Sequence, residues 1–209
     1  MNIALLTAGG VGNRMGQDIP KQFMTIDNIP VIIYTMQAFQ SHPQIDAICV
    51  VCLKGWEVVL QAYANQFNIT KLKWIFEGGD SNQHSIRNGL WGLRDAGCAE
   101  DDIILVHDGV RPLVAERIIT ENIDIPRERL VRTQTPHTYA LGTLLKAHAE
   151  ADAKGIDGTV ASCTLMAELG VDNQHLVMGS EKNGLKLTQT EDVELFKALK
   201  HTTKDEWLK

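Results

Sequence analysis

The stretch "NIALLTAGGVGNRMGQDIPKQF", Asn2 to Phe23, runs an apolar segment, Ile3-Ala4-Leu5-Leu6, straight into four glycines within ten residues. Arg14 and the pair Pro20-Lys21 follow. Glycines let a backbone approach a ligand closely, and bare amide N–H groups with cations beside them suit phosphate. Two common phosphate loops fail the comparison. A Walker-type loop needs G-x-x-x-x-G-K-[ST], and no Gly-Lys pair occurs in this stretch. The dinucleotide fingerprint needs G-x-G-x-x-G, but after Gly10 and Gly12 the next glycine is Gly16, one residue late. What remains is a different glycine loop, with Arg14 and Lys21 at its two ends.

Downstream, apolar runs of strand length alternate with helix-length segments. Residues 2–8, 47–53, 72–78 and 102–109 read as strands. Residues 30–41, 56–67 and 84–97 read as the helices between them. This alternation predicts an α/β fold, a Rossmann-like three-layer sandwich with a mostly parallel sheet between helices. Ligands of such sheets sit at the carboxyl ends of the strands, which points to loops 7–21, 77–85 and 107–112. Later, residues 143–155 predict a helix ending at Gly155, and residues 193–208 a C-terminal one. "ERIITENI" reads as a short helix, and "DIPRERLVR" after it carries no strand pattern.

A chain of 209 residues, 44% of them hydrophobic, can bury a substantial core in a single domain spanning 1–209. The net charge of −6 argues against a nucleic-acid partner. It leaves room for an anionic ligand, because a few cations focused in one cleft outweigh the global sign. No apolar run approaches the roughly 20 residues of a membrane span, and the N-terminus lacks a signal-peptide pattern. A cytoplasmic location is therefore expected. Cys49 and Cys52 form a C-x-x-C, but inside "AICVVCL" they read as strand residues facing opposite sides of a sheet.

Five motifs in order give the loop a context. "TAGGVGNRMGQDIPKQF" (7–23) resembles the signature G-G-x-G-x-R-M-(x)n-P-K-Q-[FY] of the sugar-phosphate nucleotidyltransferases, in their cytidylyltransferase branch. That branch includes methylerythritol-phosphate and ribitol-phosphate enzymes. "GGDSNQHSIRNGL" (78–90), "VHDGVRPL" (106–113), "RTQTPHTY" (132–139) and "NGLKLTQTEDVELF" (183–196) are similar to the family's later motifs. The resemblance covers nearly the whole chain and implies the nucleotide-diphospho-sugar transferase type of sandwich.

It also implies a reaction, CTP plus a polyol phosphate giving a CDP-polyol and pyrophosphate, with Mg²⁺ and a homodimer. By this likeness Arg14, Lys21 and Lys186 stabilise the reacting phosphates. The backbone of Ala8, Gly9 and Gly10, with Gly78, Gly79, Asp80 and Ser85, holds the nucleotide. Ser85 reads equally as the N-cap of a helix. Asp108, Arg111, Arg132 and Thr135 take the acceptor, Asp108 also touching the metal, while His107 reads as a packed structural histidine. The favoured acceptor is 2-C-methyl-D-erythritol 4-phosphate, with D-ribitol 5-phosphate as the alternative. Transfer of another nucleotide, or nucleotide binding without transfer, are rival readings.

Three departures from the family pattern stand out. Asn82 replaces a usual arginine, and "TVASCT" (159–164) lacks the acidic residues of the corresponding stretch. Relatives also carry roughly thirty more residues near Ile123-Asp124, supplying a strand and a projecting β-arm. We expect those residues to belong to the protein although these 209 leave them out, because losing an internal strand would leave a hole in the sheet.

Overall fold

The computed structural model describes residues 1–10, 19–124, 135–159, 161–171, 177 and 185–201. Asn2–Ala8 forms β1; Thr25–Ile26 (β2) and Ile29–Pro30 (β3) make a small hairpin; Val31–Ser41 is α1. Then follow Ala47–Cys52 (β4), Glu57–Gln66 (α2), Leu72–Glu77 (β5), Asn82–Asp95 (α3), Ile103–Asp108 (β6) and Glu116–Asp124 (α4). His137–Ala140 (β7), Leu141–Lys154 (α5), Ser162–Glu168 (α6) and Thr190–His201 (α7) complete the described elements.

The main sheet has the order β5-β4-β1-β6-β7. β1 pairs in parallel with β4 and with β6, and β4 in parallel with β5. β7 pairs antiparallel with β6, His137 opposite Val106 and Ala140 opposite Ile103. The apolar runs are explained by burial on both faces. Along β1, Ala4 and Leu6 face α1, α2 and α4, while Ile3 and Leu5 face α3, α5 and α6. β4 divides the same way, placing Cys49 and Cys52 on opposite faces, both buried and free. Burial pushes both thiols up, Cys52 to about 12, so neither is a ready nucleophile or metal ligand. A third cluster, with Ile26, Val31, Val110, Leu113, Leu187 and Phe196, seats α7 against the hairpin and α1.

The mostly parallel α/β sandwich predicted from the alternation is the one observed. Two details differ. α3 begins at Asn82, two residues before the predicted 84, because Ser81 caps it: the Ser81 hydroxyl accepts from the His84 amide at 3.1 Å. The N-cap is therefore Ser81, and Ser85 lies within the first turn. Around the expected insertion, α4 runs unbroken through Ile123 and Asp124, and residues 125–134 lie outside the described residues. β6 meets β7 directly, so the sheet has no hole at that point. Among the described residues, no helix is long and apolar enough to cross a membrane.

Candidate active site

β1 and β4 end side by side, and the loops that follow β1 and β5 come together. Gly78 donates its amide to the Cys52 carbonyl at 2.7 Å. A Cβ on Gly78 would lie 3.0 Å from Gly9 Cα, and one on Gly9 would lie 3.1 Å from Ser85 Oγ. Two backbones touch here, which only glycines allow. Gly10, by contrast, has open space around it. Ser85 is buried beneath this junction, its Oγ accepting from the Gly79 amide at 3.1 Å. Asp80 is exposed at the loop's rim.

Gln22 ties the glycine loop shut. Its buried amide nitrogen donates to the Ala8 carbonyl at 2.8 Å and to the Gly10 carbonyl at 3.0 Å. Next to it, half-buried Lys21 opens a short 3-10 turn, and Phe23 stacks on Trp56 with centroids 4.6 Å apart. Lys21 is thereby placed beside the loop. Arg14 and Arg132 lie outside the described residues.

The second half of the site gathers where β1 and β6 end. A cavity of about 240 Å³ is lined there by Thr7, Asp108, Arg111, Thr135, Ser162 and Lys186, among others. Asp108 Oδ2 accepts from Arg111 Nε at 2.7 Å and pairs with Lys186 Nζ at 2.9 Å. Its Oδ1 accepts from the Thr7 hydroxyl at 3.4 Å, and its amide donates to Thr135 Oγ1 at 3.3 Å. Burial pushes the Asp108 carboxyl up, but Lys186 and Arg111 outweigh it and hold the group well below the usual carboxylate range. Asp108 is thus a firm anion between two cations. Five residues from Thr7 to Lys186, far apart in the chain, meet at one point.

Two histidines border this cavity, and burial lowers both to about 4, so they are neutral at physiological pH. His107 donates from Nε2 to the Arg111 carbonyl at 3.0 Å and packs against Phe39. It shapes the turn that carries Arg111, in keeping with a structural part. His137 lies on β7 with Nε2 3.5 Å from Cys163 Sγ. Sequence reading did not single out Gln22, Gln83, His137 or Ser162. Each lies inside a quoted stretch, Gln22 in 7–23, Gln83 in 78–90, His137 in 132–139 and Ser162 in 159–164, but only Gln22 occupies a position that its motif itself specifies, the Q of P-K-Q-[FY].

A mostly parallel sandwich with a glycine junction on one side and a lysine–arginine–aspartate cluster on the other is the frame of a nucleotidyltransferase. The family model described as 2-C-methyl-D-erythritol 4-phosphate cytidylyltransferase (IspD) matches residues 2–128. A protein named ribitol-5-phosphate cytidylyltransferase from Lacticaseibacillus paracasei is 39% identical over 231 residues, covering 95% of this chain and 97% of its own. A 2-C-methyl-D-erythritol 4-phosphate cytidylyltransferase from Geotalea uraniireducens is 32% identical, covering 93% and 94%. A crystal structure of a 4-diphosphocytidyl-2C-methyl-D-erythritol synthase superposes with a TM-score of 0.74 at 23% identity, covering 95% and 98%. The chain belongs to the IspD cytidylyltransferase family and is an enzyme of the nucleotidyltransferase class.

Proposed function

We propose that the protein transfers CMP from CTP to a polyol phosphate, releasing pyrophosphate, and that the acceptor is D-ribitol 5-phosphate. An oxygen of the acceptor phosphate forms a bond to the α-phosphorus, and the bond from that phosphorus to the α–β bridging oxygen breaks. The acceptor phosphate has a second pKa of about 6 and is largely a dianion at neutral pH. It needs no general base, in keeping with two cavity histidines that burial lowers to about 4 and so makes weak bases. The obstacle is repulsion between anions, so positioning and preorganised cations supply the catalysis.

The observation that carries this reading is the Asp108–Arg111–Lys186 cluster beside Thr135 at the end of the sheet. In our reading Lys186 serves the α-phosphate, with Lys21 and Arg14 on the rest of the triphosphate. Arg111, Arg132 and Thr135 take the acceptor phosphate, and Asp108 its hydroxyl chain. The glycine junction and Ser85 hold the cytosine side, with Gly79 and Asp80.

Mg²⁺ accompanies the triphosphate. Among the described residues no group of three or more acidic, histidine or cysteine side chains exists to cage a metal. A single carboxylate suits an ion whose other ligands are phosphate oxygens, and Asp108, with Oδ1 only weakly engaged, would hold it. The ion would neutralise charge on the phosphates.

Ribitol phosphate is preferred over methylerythritol phosphate because relatives named for the former reach 39% identity, against 32% for the latter. Methylerythritol phosphate, the acceptor favoured from the motifs, is the second reading. The same family likeness keeps our expectation of about thirty further residues beside Asp124 and of a homodimer built through them. Assaying both acceptors side by side with CTP decides the acceptor. Ribitol phosphate should give the higher kcat/KM by at least tenfold, and a reversed ratio would restore the second reading.

A further inference from the structure

The cavity that Asp108 lines is also lined by Ala161 and Ser162 at the start of α6. Ser162 is 2% exposed, and among the described residues its hydroxyl has no hydrogen-bond partner. A buried polar group left unpaired is unusual and costly, and a binding partner is the ordinary reason to keep one. Thr7 and Thr135, the other hydroxyls lining the cavity, are engaged with Asp108. Ser162 alone of these three hydroxyls has its bonding capacity unspent.

The wall is also built to stay in place. Gln83, buried in the first turn of α3, donates from Nε2 to the Ile156 carbonyl at 2.7 Å. Its Oε1 accepts from the Thr159 amide at 3.0 Å and the Thr159 hydroxyl at 2.6 Å. Three hydrogen bonds thus pin the approach to α6 onto the helix that starts beside the glycine junction. On α6, Cys163 is held against His137 on β7. Ser162 lies between the two anchors.

We propose that Ser162 is a specificity-determining residue for the acceptor, its hydroxyl pairing with a hydroxyl of the polyol chain while Gln83 fixes its position. The inference rests on the polyol-phosphate acceptor proposed above. A hydroxyl both donates and accepts, so it suits another hydroxyl and is wasted on a methyl group. A site built to hydrogen-bond a substrate hydroxyl discriminates strongly, because an acceptor lacking it leaves the buried group unpaired.

The test compares wild-type enzyme and Ser162→Ala with CTP and D-ribitol 5-phosphate, alongside thermal melting of both free proteins. Ser162→Ala should raise the KM for ribitol phosphate about tenfold and leave the KM for CTP within about twofold. Its Tm without substrate should equal or exceed that of wild type, since an unpaired hydroxyl has been removed. A merely structural serine would lower Tm and disturb both KM values, which would overturn the proposal. So would an unchanged acceptor KM in an active variant, and the proposed function would survive that result. Failure of the wild type to use either polyol phosphate would instead remove the function and this inference together.

Discussion

Lys186→Ala separates chemistry from folding. The lysine side chain is 39% exposed and pairs with an Asp108 side chain that is 12% exposed. An ion pair with so exposed a cation is worth at most about 1 kcal/mol, and Asp108 keeps Arg111 at 2.7 Å in the variant. The expected loss of stability is therefore about 1 kcal/mol, or roughly 2–4 °C in Tm for a chain of this size. Turnover should fall far more. A preorganised cation at a transferring phosphoryl group contributes about 3–5 kcal/mol to the barrier, which is two to four orders of magnitude in kcat.

Acid titration adds an internal check on that variant. Asp108 titrates lower in the folded than in the unfolded chain, so its stabilisation is present above the unfolded value of about 4. It is lost as pH falls through the folded value. The stability gap between wild type and Lys186→Ala should be open at pH 6 and close steadily below about pH 4. Chemical denaturation across that range and steady-state turnover at pH 7.5 measure the two quantities. A kcat within fivefold of wild type, or a gap that does not narrow at all between pH 6 and pH 2, would refute the electrostatic role.

At the other half of the site, Gly78→Ala places a Cβ 3.0 Å from Gly9 Cα and 3.1 Å from the Cys52 carbonyl oxygen, forcing two backbones apart. The KM for CTP should rise about tenfold and stability should fall by about 1–3 kcal/mol; an unchanged KM would mean that this junction does not shape the nucleotide side.

The central sheet was legible because β1, β4 and β6 are buried on both faces and so read as unbroken apolar runs. β7 was not legible. It has four residues of mixed polarity, "HTYA", and its register comes from β6 more than thirty positions earlier. α6 lacks a side-chain cap at Ala161, and so gave no start signal. In the site, the family likeness put Asp108, Arg111 and Thr135 at the acceptor and Lys186 at the reacting phosphates, and the fold brings those four together. Gln22 and Gln83 were missed because their partners are mainly backbone groups, whose positions follow only from tertiary structure. Ser85 was ambiguous between cap and ligand contact until Ser81 proved to occupy the cap.

The most direct test of cytidylyl transfer is pyrophosphate release with each of CTP, UTP, GTP and ATP, at fixed D-ribitol 5-phosphate and Mg²⁺. A glycine junction backed by one serine suits a pyrimidine over a purine, and the likeness to cytidylyltransferases makes cytosine the expected base, so CTP should exceed each rival by about a hundredfold in kcat/KM. Comparable rates with UTP, GTP or ATP would contradict the assignment.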